Sequence, residues 1–174
     1  LQLYFDFEGY SLMAVGIGMM IGMPYIKNFD QPYMATSVSD FWRRWHMTLG
    51  SWFRDYVYIP MGGNRKGVPR LLLNLCVVWL LTGLWHGSGV NFLIWGITVG
   101  LFVIVEKLFY GKWLSHHKLV SHIYVWIVIP LTWVIFAVTS LPDLGIYFGR
   151  LFPFFGIGET LNPQDIFKYF SMYW

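Results

Sequence analysis

Residues 71–105 read LLLNLCVVWLLTGLWHGSGVNFLIWGITVGLFVIV, thirty-five positions without an Asp, Glu, Lys or Arg. As one straight α-helix the stretch would extend about 52 Å, at about 1.5 Å per residue. The hydrocarbon core of a bilayer is only about 30 Å thick. The stretch therefore has to break, and the glycines around His86 are where the sequence allows it. Those glycines flank His86, an ionisable side chain in the middle of an apolar run. Ionisable groups at membrane depth are costly and usually line a protein interior or a water-filled path.

The rest of the chain agrees with a membrane reading. Of its 174 residues, 56% are hydrophobic, 21% aromatic and 12% charged, against roughly 25% charged in a soluble domain. The expected fold is all-α: a polytopic integral membrane bundle, with residues 1–174 as a single domain. Four to five spans of roughly 20 residues would fit. Trp and Tyr are abundant, as suits the membrane interfaces. Cys76 has no second cysteine to pair with and reads as a small core residue. The chain opens at Leu1 with no basic segment followed by a short apolar core and cleavage site, so no signal peptide is expected. A C-terminal piece of a longer protein is the simplest expectation.

Gly9 to Ile26 is charge-free and glycine-rich, a first expected span with Pro24 near its end. Residues 27–70 hold seven of the twelve Lys and Arg and read as a basic cytoplasmic or interfacial segment. Within it, Ser37-Val38-Ser39-Asp40 fits a capping box. A helix is expected to follow from about Asp40 to Tyr58, with Phe41, Trp45, Leu49, Trp52 and Tyr56 on one aromatic face. Such an amphipathic helix belongs at an interface or packed against the bundle. Pro60 to Pro69 reads as a basic loop. Leu71–Trp85 is short for a span, Val90–Val105 begins the next one, Glu106–Lys118 reads as a polar connection, and Leu119–Pro142 is long enough to cross. A further short span is expected near Leu144–Ile157. With residues 27–70 and 106–118 on one side, that side carries ten Lys and Arg; the other carries Arg150 and Lys168. The positive-inside rule puts the basic side in the cytoplasm.

Two constellations carry titratable chemistry. In Phe41-Trp42-Arg43-Arg44-Trp45-His46, Trp42 and His46 are a helical turn apart, and Asp40 is in reach of Arg43 or Arg44. This block reads either as an interfacial helix with snorkelling arginines or as an anion-handling surface, since Arg forks fit phosphate and carboxylate. In Trp85-His86-Gly87, a neutral imidazole would serve as general base if its other nitrogen is held by a partner. The bland alternative is a buried His bonded to a backbone carbonyl. Met61-Gly62-Gly63-Asn64-Arg65-Lys66 lacks phosphate-loop spacing; it reads as a turn, with a phosphate contact as the functional alternative. His116, His117 and His122 lack the companions and spacing of a zinc site, so no metal is expected. Asp6 and Asp55 read as structural partners. Nucleic-acid binding is not implied, because the basic residues sit among membrane-like segments.

Taken in order, several blocks resemble the membrane-bound O-acyltransferase family, in its bacterial polysaccharide branch of alginate O-acetylation type. They are Tyr4-Phe5-Asp6-Phe7-Glu8-Gly9-Tyr10-Ser11, Asn28-Phe29-Asp30-Gln31-Pro32-Tyr33, Ser37 to His46, Trp52 to Arg65, and Gly83-Leu84-Trp85-His86-Gly87. The resemblance implies a helical membrane fold with a tunnel, in which His86 matches the family's invariant histidine and His46 a second polar one. It implies transfer of an acetyl group, with acetyl-CoA as donor substrate and no bound cofactor, to a hydroxyl of a cell-envelope glycan or of an extracytoplasmic partner transferase. The setting implied is the bacterial cytoplasmic membrane, crossed several times and in contact with lipid. His86 would be the general base and His46 would orient donor or acceptor. Arg43, Arg54 and Arg65 would meet CoA phosphates, and Trp42 and Trp85 would line the substrate site. Teichoic-acid D-alanylation is a related branch. A transport subunit relaying protons through His86 and a non-catalytic assembly subunit are the competing classes.

Overall fold

The computed structural model describes residues 1–152, and the described residues are helical with no strand. The apolar run does break at the glycines around His86, directly after that residue. Helix α4 runs Gly67–His86 and α5 runs Val90–Val105, with Gly87-Ser88-Gly89 between them. Starting at Gly67, α4 has 20 residues, so it is not the short segment that Leu71–Trp85 alone would make. The two helices pack at close range because glycine removes the side chains between them. A Cβ built on Gly96 would stand 2.5 Å from the Trp79 carbonyl oxygen, and one on Gly83 2.6 Å from that of Phe92. Small residues at such contacts let membrane helices approach backbone to backbone.

Beyond Val105 the helix does not stop. Glu106–Tyr110 form a wider π-type turn and Gly111–His116 continue as α6, so the polar connection expected from Glu106 is helical. Helix α7 covers Lys118–Ala137 with Pro130 inside it. Helix α8 is Leu141–Leu151, too short to cross; residues 153–157 of the span expected there, and Lys168, lie outside the described residues. Three helical stretches are long and apolar enough to span a membrane: Gly67–His86, Val90–His116 and Lys118–Ala137. Their outward faces carry exposed Leu73, Leu84, Ile97, Leu101, Ile123 and Ile127. Cys76 sits on that outward surface, correcting its expected place in the core: a small thiol meets no penalty against an apolar surround.

Helix α1 covers Gln2–Met20, earlier than the expected Gly9–Ile26. It ends where Gly22 takes a left-handed φ of 76°, a conformation glycine enters without steric cost. It carries Asp6 and Glu8 and is not among the three apolar spans. Asp6 is exposed rather than paired.

The single helix expected over Asp40–Tyr58 is broken in two. Helix α2 is Val38–Arg44 and α3 is Met47–Phe53, followed by a π-type turn over Arg54–Tyr58. At the junction His46 adopts a left-handed φ of 48°. The expected aromatic stripe is split accordingly: Phe41 and Trp45 are buried, whereas Trp52 and Tyr56 are exposed. The cause is tertiary. Trp45 is clamped by Phe29 and Trp133, each with its ring centre 4.9 Å away, and by Phe41 stacked at 5.5 Å. Burying that indole is favoured over continuing a regular helix. Helix α2 thus packs against the bundle, the second of the two settings expected for it. Its start shows half of the expected capping box: the Ser37 hydroxyl accepts the Asp40 N–H at 2.9 Å, while the Asp40 carboxylate takes the Thr36 N–H at 3.4 Å and Arg44 Nε at 3.1 Å instead of the Ser37 N–H.

Candidate active site

A cleft of about 1320 Å³ runs along the inner faces of α2, α4 and α5. His46 and His86 both line it, with Trp42, Trp85, Trp95 and Phe136 among its walls. At the other end of α5 the lining includes Glu106, Lys107 and Lys112, with Arg43 and Arg54 also on the cleft. The sixteen residues of α5 separate the two ends by about 24 Å.

His86 is half-buried at the last position of α4. Its ring meets Trp95 and Phe136 edge-on, each at 5.1 Å, and stacks loosely on Phe92 at 6.4 Å. These walls are fixed from behind by Asn91, whose Nδ2 donates to the Phe136 carbonyl at 2.9 Å. His86 makes ring contacts and no hydrogen bond among the described residues, so the backbone-bonded alternative is not what the fold contains. The indole of Trp85 lies between the two histidines, 4.9 Å from His86 and 5.7 Å from His46, centre to centre.

His46 has the nitrogen partner that the sequence reading required of His86. Its Nδ1 lies 3.2 Å from Asn28 Oδ1. The same oxygen accepts the Thr48 hydroxyl at 2.9 Å and the Thr48 N–H at 3.3 Å, while Asn28 Nδ2 donates to Ser11 Oγ at 3.1 Å. The Asn28 carbonyl also accepts the Met47 N–H at 2.9 Å, which anchors the first turn of α3. Phe7 meets the His46 ring edge-on at 4.9 Å. Half-burial removes water from the charged imidazolium and pushes the His46 pKa down to about 4, with the nearby His86 acting in the same direction. His46 is therefore neutral near pH 7.

Six of the seven residues singled out from sequence line this cleft: His86, His46, Arg43, Arg54, Trp42 and Trp85. Arg65 is not among them; it sits exposed in the turn after Tyr58. That turn is held by α4, through Arg70 Nε and Asn74 Nδ2 donating to the Met61 and Gly63 carbonyls at 2.8 Å each. Arg54 is paired with Asp55 at 2.8 Å, the structural role foreseen for Asp55. Arg43 Nε donates to the Ser39 carbonyl at 3.3 Å. His116 and His117 each contact a backbone carbonyl one turn earlier.

Sequence reasoning missed four residues. Asn28 was quoted within a motif and given no role. Lys107 and Lys112 counted only as loop charges. Glu106 was taken as the edge of a connection, yet it is 3% exposed and accepts the backbone N–H groups of Val38 and Ser39 at 2.8 and 3.2 Å. A lone acid ending a thirty-five-residue apolar run was the signal available. Its partner, sixty-eight positions away, was not.

Residues 1–139 match the model of the membrane-bound O-acyltransferase family. The chain is 43% identical over 155 residues to the probable alginate O-acetylase AlgI of Pseudomonas fluorescens, covering 88% of this chain and 31% of that protein. It is 41% identical over 144 residues to the peptidoglycan O-acetyltransferase of Helicobacter pylori, covering 80% and 27%. It is 32% identical over 127 residues to the teichoic acid D-alanyltransferase of Bacillus subtilis, covering 68% and 31%. The chain thus spans less than a third of the length of each of these relatives. The ordered motifs, the helical membrane fold and these matches agree: the chain belongs to the membrane-bound O-acyltransferase family.

Proposed function

We propose that this chain carries the catalytic histidines of a bacterial cytoplasmic-membrane enzyme that moves an acetyl group from acetyl-CoA to a hydroxyl. The acceptor is a cell-envelope polysaccharide or a partner transferase outside the membrane. The observation that carries the reading is the meeting of His46 and His86 in one aromatic-walled cleft. The names of the alginate and peptidoglycan relatives support an O-acetyl product.

In the proposed mechanism His86 takes the proton of the acceptor hydroxyl as its oxygen attacks the thioester carbonyl. A general base acts in its neutral form, with the lone pair free to take the proton. The C–O bond forms, the C–S bond breaks, and CoA leaves as thiolate, to be protonated by the imidazolium of His86. His46 orients the reactants. Charge building on the carbonyl oxygen needs a hydrogen-bond donor.

The length of the cleft supports a donor with a long flexible arm. Its basic end, with Arg43, Lys107 and Lys112, suits CoA phosphates. That the 27–70 segment bonds to Glu106 at the end of α5 supports placing both basic segments on the cytoplasmic side.

The test is reconstitution of the intact protein in liposomes with acetyl-labelled CoA inside. Label appearing as O-acetyl ester on added polysaccharide or on a co-reconstituted transferase supports the reading. Label retained on CoA with both acceptors present overturns it.

A further inference from the structure

The hydrogen bonds around His46 fix more than its orientation. A backbone N–H can only donate, so the Thr48 N–H at 3.3 Å identifies the Asn28 atom facing it as the amide oxygen, not the nitrogen. The Thr48 hydroxyl at 2.9 Å is a further donor to the same oxygen. A flipped amide would oppose an NH₂ group to a backbone N–H. The other end of the amide, Nδ2, is satisfied by Ser11 Oγ at 3.1 Å. With that oxygen fixed as an acceptor, His46 Nδ1 at 3.2 Å has to be the protonated nitrogen. The Thr48 oxygen, 3.4 Å from Nδ1 with its own proton committed to Asn28, is compatible with this. Nε2, on the opposite edge of a ring that lines the cleft, then holds the lone pair and has no partner among the described residues.

We propose that Asn28 is a positioning residue that locks His46 in the Nδ1–H tautomer, so that Nε2 presents only an acceptor to whatever occupies the cleft. The consequence deepens the proposed function and rests on it. The group His46 orients must be a hydrogen-bond donor: the acceptor hydroxyl or an amide N–H of the donor's arm. His46 is excluded as a donor to the oxyanion. A lock of this kind also explains why the α2–α3 junction takes a left-handed residue at His46. The reversal brings Nδ1 and the Thr48 N–H onto the side-chain amide oxygen of Asn28, and the Met47 N–H onto its backbone carbonyl.

The test is ¹⁵N NMR of the intact protein in nanodiscs with labelled histidine, His46 being assigned by its disappearance in His46→Gln. At pH 7.5 the proton is expected on Nδ1, with Nε2 at the unprotonated shift. Asn28→Asp keeps an acceptor oxygen and should keep the proton on Nδ1. Asn28→Leu removes it and should shift the population toward Nε2–H. A wild-type signal with the proton on Nε2, or an Asn28→Leu signal unchanged from wild type, overturns the proposal. The wild-type spectrum alone decides the tautomer even if Asn28→Leu does not fold. Because the experiment reads a proton and not turnover, absence of acetyl transfer would count against the proposed function alone.

Discussion

Glu106, one position past α5, accepts the backbone N–H of Val38 at 2.8 Å across sixty-eight residues of chain. With Ser39 as second donor, its carboxylate satisfies two of the four N–H groups that open α2 and that have no partner within the helix. This tie joins the segment carrying His46 to the helix that lies along the cleft. Hydrogen bonds to charged groups are worth about 1.5–3 kcal/mol each. Glu106→Ala should therefore lower stability by roughly 3 kcal/mol, and Glu106→Gln by less, because one acceptor oxygen remains. Thermal unfolding in nanodiscs checks the order: Glu106→Ala below Glu106→Gln below wild type.

The α4–α5 contact should not tolerate a methyl group. Gly96→Ala would set a Cβ 2.5 Å from the Trp79 carbonyl oxygen and 3.2 Å from Gly83 Cα, both backbone atoms. Overpacking of this kind costs about 1–3 kcal/mol. Gly145→Ala meets nothing within 4 Å and should be neutral, or stabilising by up to about 1 kcal/mol through helix propensity. Comparing the unfolding midpoints of the two variants separates packing from propensity.

Protonation of His46 should become limiting only well below the ordinary imidazole range. Its folded pKa is lowered from 6.5 to about 4 by burial and by His86. The unfolded chain takes up this proton below about pH 6.5, but the folded chain only near pH 4. Stability from this group is thus complete above 6.5 and is lost as pH falls from 6.5 toward 4. Unfolding measured across pH 7.5 to 4.5 should show that decline, and His46→Gln should flatten it. An equal slope in both proteins would contradict the assignment.

Arg43 and Arg65 should behave differently, although both are exposed arginines of one basic segment. Arg43 lines the cleft and Arg65 does not. Replacing Arg43 with Gln should raise the KM for acetyl-CoA by roughly three- to tenfold at low salt, with less effect as salt screens the charge. Arg65→Gln should leave KM within about twofold, as for most surface substitutions. Steady-state kinetics at two ionic strengths provide the comparison.

What the sequence made legible follows from where the governing physics is local. A break near His86 came from helix length against bilayer thickness, and the Ser37 cap from a four-residue pattern; both are present, although the Asp40 side chain bonds Thr36 and not Ser37. The break at His46 was hidden because Phe41, Trp45 and Leu49 keep perfect helical spacing. What ends the helix is the packing of Phe29 and Trp133 on Trp45, residues distant in the chain. Asn28 and Glu106 were invisible as partners for the same reason. The continuation of α5 through Glu106 was misread because charge marks a polar surface in sequence, whereas this carboxylate is buried against backbone N–H groups.

The central claim is that His86 performs the proton transfer, and replacing it with Ala in the intact protein tests it most directly, read as O-acetyl ester formed on the glycan. Loss of a general base typically costs about 10²–10⁴-fold in rate. The account predicts a fall of at least about a hundredfold, with the variant still inserted in the membrane at normal abundance. O-acetyl content equal to wild type would contradict it.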